Sequence, residues 1–174
     1  MTIWQNIFST FIGVLAGFLF SIALFYFTTT QRRYKSARTL AKNLNKEFEY
    51  NINFLKNIIS DLNKSIEKIA SDDDELHMFF DYKYYQRLFL QAYFQQGYLY
   101  DKLDPEDIIL LDTILSHMAP LAGNWINEHI QMWEKKQITK QRVTQVLSFE
   151  RDTLEGFIKN IQTIKRKISG SSKT

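Results

Sequence analysis

The sequence predicts an all-α protein in which one N-terminal transmembrane helix is followed by a four-helix cytoplasmic domain with a long first helix. Three observations carry this expectation. Only 6 Gly and 2 Pro punctuate 174 residues, which leaves little room for the turns of an all-β protein. From Thr2 to Gln31 no side chain is ionisable, and Ile3–Phe27 is a nearly unbroken apolar run. Beyond that run, apolar residues recur at helical spacing almost to the end of the chain.

The anchor is assigned to residues 1–30. Twenty-five apolar residues rising about 1.5 Å each reach roughly 37 Å, enough to cross a hydrocarbon core with some tilt. A cleaved signal peptide fits less well, because no Lys or Arg precedes the run and bulky Phe25, Tyr26 and Phe27 occupy its end. Trp4 and Tyr26 suit the two interfaces. Within the span, Ser9, Gly13, Gly17 and Ser21 recur every fourth residue, with GxxxG at the centre. Such a stripe lets two backbones approach closely in lipid, so it is the candidate surface for self-association and a homo-oligomer.

Residues 31–46 form a basic juxtamembrane helix carrying six bases and no acid, namely Arg32, Arg33, Lys35, Arg38, Lys42 and Lys46. By the positive-inside rule this side faces the cytoplasm, which puts the N-terminus outside the inner membrane and makes the protein single-pass. The first five of these bases are the candidate contacts to anionic lipid headgroups. The formal net charge of +3 therefore reflects this segment, since residues 47–174 carry 16 bases against 19 acids, and duplex nucleic acid is not an expected partner.

The helical domain is assigned to 47–168 and a disordered tail to 169–174. Leu40, Leu44 and Phe48 lead into Ile52, Leu55, Ile59, Leu62, Ile66 and Ile69, a heptad-like seam in a helix running to Ala70. Nothing between Thr29 and Ala70 demands a break, so the span is free to continue into this helix. Ser71-Asp72-Asp73-Asp74-Glu75 reads as a stop and an N-cap. A second helix is expected over about Asp74–Gln96. It is rich in aromatics on more than one face, beyond what a single core stripe absorbs. Gly97 is a stop, and Asp104-Pro105-Glu106-Asp107 starts a third helix, which Pro120 should kink or split. The fourth, about Thr139–Ile168, repeats Leu147, Leu154, Ile161 and Ile168 every seven residues, with Phe157 and Ile164 completing the seam. Charge is segregated: residues 72–112 hold 10 acids and 3 bases, and 135–174 hold 3 acids and 10 bases. That contrast is suited to drawing the second and fourth helices together, or one chain to another.

No catalytic motif stands out, and an enzyme is not expected. There is no Gly-rich phosphate loop, GxSxG elbow or HExxH helix. His77, His117 and His129 lack ligand-like spacing and read as surface or capping residues, so neither metal nor other cofactor is expected. The absence of Cys excludes disulfides and thiolate chemistry.

A span, a basic junction and a long helix, followed by Gly97-Tyr98-Leu99, Leu110-Leu111, Asn124 and Asn127, resemble small membrane-anchored all-helical proteins of bacterial anti-phage defence loci. These include the cyclic-oligoadenylate-responsive membrane effectors of type III CRISPR systems. The resemblance covers most of the chain in layout and transfers no ligand residue. Two functions are compatible with the sequence. The first is a membrane-tethered, self-associating interaction or regulatory protein that engages a protein partner, in an antiviral defence role the resemblance implies. The alternative is a nucleotide-gated membrane effector whose cytoplasmic domain binds a cyclic oligonucleotide and rearranges the spans.

Overall fold

A computed structural model describes residues 3–71, 78–120 and 122–170, with side chains in the first helix from Phe11 onward. Five helices and no strand occur among the described residues: α1 (Ile3–Ala70), α2 (Leu88–Gln95), α3 (Pro105–His117), α4 (Asn124–Glu134) and α5 (Lys140–Gly170). The chain forms two compact units, Met1–Thr39 and Leu40–Thr174. The second begins inside the segment 31–46, because Leu44 is already part of its core.

In the first unit α1 is long and apolar enough to cross a membrane. From Phe11 to Phe27 every side chain is exposed. Its hydroxyls fold back onto the helix: Ser21 Oγ donates to Gly17 O (2.8 Å), Thr28 Oγ1 to Leu24 O (2.9 Å) and Thr30 Oγ1 to Tyr26 O (2.8 Å). Each donor is satisfied without water, the condition for a polar group in hydrocarbon. Trp4 and the side chain of Ser9 lie outside the described side chains.

In the second unit the seams of α1 and α5 line one core. Leu44, Phe48, Leu55, Leu62 and Ile69 meet Val143, Leu147, Leu154, Ile161, Ile164 and Ile168 there. Three contacts set the two helices antiparallel. Lys140 Nζ donates to Ala70 O (2.9 Å), Lys165 Nζ to Glu49 Oε1 (2.7 Å), and Ser169 Oγ to Asn45 Oδ1 (3.2 Å). The two seams thus serve one chain's core. The buried face of α1 also includes Asn51 and Ser65, while Ile59 and Ile66 are half-buried and pack at its edge.

The second helix departs from the sequence expectation. Residues 78–87 form an extended, turning strap, and only Leu88–Gln95 is helical. The chain then turns at Gly97, whose φ of 77° is a left-handed conformation that glycine adopts at no steric cost. The expected cap at Asp72–Glu75 lies outside the described residues. Pro120 does separate two helices, since α3 ends at His117 and α4 begins at Asn124. At the start of α3 the Asp107 carboxylate accepts from the Asp104 amide (3.3 Å) and pairs with Lys167 Nζ of α5 (2.5 Å). The acidic and basic segments therefore meet within the chain. α5 runs through Gly170, two residues into the segment assigned to the tail, and 171–174 lie outside the described residues.

Candidate functional site

The small-residue stripe lies on open helix surface. A Cβ added at Gly13 or Gly17 would meet nothing within 4 Å. Among the described residues, neither glycine is required by a neighbour packed against it. The five bases that follow, Arg32, Arg33, Lys35, Arg38 and Lys42, are all exposed, the first four in the first unit and Lys42 in the second.

The helical unit contains a second constellation, which sequence reasoning missed. The strap 78–87 is held by side chains from three helices. Asn127 of α4 forms a two-bond clamp on Phe80, accepting from its N–H (2.9 Å) and donating to its carbonyl (2.8 Å). Asn51 of α1 forms the same clamp on Gln86, with bonds of 2.8 and 2.7 Å. Glu47 of α1, buried, accepts from the amides of Phe89 (2.7 Å) and Leu90 (3.0 Å). It thereby caps α2, whose own N-cap residue Arg87 has no side-chain acceptor. Burial pushes the Glu47 carboxyl above its ordinary value, and the amide donors pull it back down.

The fourth tie is Glu150 of α5, which has 0% exposure. Its Oε1 accepts a short hydrogen bond from the Tyr82 hydroxyl. His117 Nε2, in the last turn of α3, sits 2.9 and 3.1 Å from the two carboxylate oxygens. Burial and the neighbouring Glu150 push the Tyr82 phenol far above its usual range, so it keeps its proton and serves as donor. The His117 ring also packs edge-on against Phe157 (5.1 Å between centroids). His117 is thus a half-buried partner for a buried acid. His129 makes a 2.7 Å contact to Trp125 O on its own helix, and His77 lies outside the described residues. Tyr82, His117 and Glu150 thereby tie the strap, α3 and α5 together. No group of three His, Cys, Asp or Glu side chains able to hold a metal occurs among the described residues.

The strap also resolves the surplus aromatics. Phe80, Tyr82, Tyr85 and Tyr93 are buried, whereas Phe79, Tyr84, Phe94 and Tyr100 are exposed. The signal for the ties lay in polar residues at core spacing. Asn51 continues the series 44, 48, 51, 55, and Glu150 the series 143, 147, 150, 154, 157.

No protein-family model matches the chain, and neither does any curated protein or solved structure.

Proposed function

We propose that the chain is a single-pass inner-membrane protein that self-associates through its span and presents a cytoplasmic unit, built from the C-terminal part of α1 and from α2–α5, for interaction with a protein partner. The observation that carries this reading is the apolar stretch of α1, whose described side chains from Phe11 to Phe27 are all exposed and which belongs to the same helix as the core seam. A lipid bilayer is the solvent that such a surface fits. Arg32, Arg33, Lys35, Arg38 and Lys42 would face anionic headgroups and fix the orientation. A role in anti-phage defence rests on the resemblance alone.

The test is crosslinking in native membranes of the parent, Gly13→Ile and Gly17→Ile, alongside native mass spectrometry of the detergent-solubilised complex. Both positions are open within the chain, so a bulky side chain there leaves the fold unchanged and acts only between chains. Loss of the crosslinked species in both variants is expected. Variants that crosslink like the parent would remove self-association through the span. A cyclic oligoadenylate that raises the melting temperature of the purified protein would instead favour the nucleotide-gated effector.

A further inference from the structure

The turn between α2 and α3 opens an apolar groove of about 400 Å³, lined by Leu90, Phe94, Tyr100, Ile109, Asp112 and Leu115 among others. Phe94, Tyr100 and Ile109 are 46%, 60% and 67% exposed, and the rings of Phe94 and Tyr100 lie 5.5 Å apart between centroids, tilted by 45°. Large apolar side chains left this open on adjoining elements form a surface that gains by being covered. The chain around the groove is acidic, with five acids against one base over residues 97–115. Lys167 engages Asp104 and Asp107, while Asp101, Glu106 and Asp112 stand exposed.

The complement lies on α5 of the same unit. Phe149 is 65% exposed, and residues 135–149 hold four bases and no acid, while Arg151 beyond it pairs with Asp152. Arg142 lies two turns before Phe149 on α5 and is exposed. A lone exposed aromatic on a basic helix matches an apolar groove with acidic surroundings in shape class and in charge.

We infer that the α2–α3 groove of one chain receives Phe149 and the basic N-terminal part of α5 from a second copy of this chain. The contact is heterologous, groove to helix, so each copy offers both halves and the association propagates from chain to chain. This inference rests on the membrane-anchored reading above, because anchors in one bilayer hold the copies parallel and favour closure of the series into a ring.

The cysteine-free chain gives a direct test with the full-length protein in membranes. Chains carrying Ile109→Cys and chains carrying Phe149→Cys, distinguished by tag, are co-expressed and oxidised, with Ile109→Cys plus Asn57→Cys as the collision background. All three sites are exposed, so the substitutions leave the core untouched. The expected result is a mixed 109–149 disulfide well above background, with a severalfold lower yield when Arg142→Glu is added to the Phe149→Cys chain. Only like-with-like disulfides, only background, or a yield indifferent to Arg142→Glu would each overturn the inference. Gly13→Cys in the same membranes reports the span contact separately. A 13–13 disulfide without the 109–149 one defeats the groove contact alone, whereas absence of both defeats the self-associating reading with it.

Discussion

A carboxylate with no exposed surface destabilises a fold unless its lone pairs are used, and Glu150 meets that condition through Tyr82 and His117. Removing the acceptor strands a buried hydroxyl and leaves His117 without its partner. Glu150→Ala should therefore lower unfolding stability by about 3–5 kcal/mol, and Tyr82→Phe, which deletes one donor, by about 1–2 kcal/mol. Chemical denaturation of the solubilised protein followed by circular dichroism measures both. Equal losses in the two variants would show that Glu150 is not the shared acceptor. Glu47 gives a pH signature. Burial raises its folded-state pKa above the ordinary 4.5, so its contribution is fully present below that value and is lost as pH rises through the raised folded value. Subtracting the pH–stability profile of Glu47→Gln from that of the parent should leave a difference that falls across that window. A difference that rises with pH would mean that the amide donors of α2 outweigh burial.

At the scale of elements, long helices were legible and the strap was not. The seams of α1 and α5, the Asp104-Pro105 start and the break at Pro120 are local signals, and each corresponds to an observed boundary or buried face. Residues 78–87 contain neither Gly nor Pro, so nothing local argued against a helix there. Their backbone partners are Asn51 and Asn127, 35 and 47 residues away; core spacing marks Asn51 as facing inward but does not say which distant backbone it holds. The same long range hid Glu47 as the cap of α2 and Tyr82 as the partner of Glu150. Two glycines separate strap packing from helix propensity. A Cβ at Gly123 would sit 3.0 Å from the Phe80 carbonyl oxygen, whereas one at Gly156 in α5 meets nothing within 4 Å. Gly123→Ala should cost about 1–3 kcal/mol by displacing the clamped strap. Gly156→Ala should gain about 0.5–1 kcal/mol. Thermal unfolding of the pair checks the signs, and the same sign for both would contradict the placement of Phe80 against Gly123.

For the whole molecule, the division at Thr39 and Leu40 makes the helical unit responsible for its own core. A flexible Gly-Ser linker inserted after Lys35 should leave its unfolding free energy unchanged within about 0.5 kcal/mol, because among the described residues no core residue lies before Leu40. A larger loss would show that the first unit supports the second. The long apolar helix was legible from hydropathy alone, because its signal is a continuous local run, whereas a surface assembled from distant residues leaves no such local trace. The proposal as a whole depends on α1 crossing the bilayer with the helical unit inside. Single cysteines at Thr2 and at the exposed Lys135, each introduced into the cysteine-free chain, report this through a membrane-impermeant maleimide applied to spheroplasts. Labelling of Thr2→Cys in intact spheroplasts, with Lys135→Cys labelled only after lysis and the protein retained in carbonate-washed membranes, is the expected pattern. Labelling of Lys135→Cys before lysis, or release of the protein by carbonate, would contradict it.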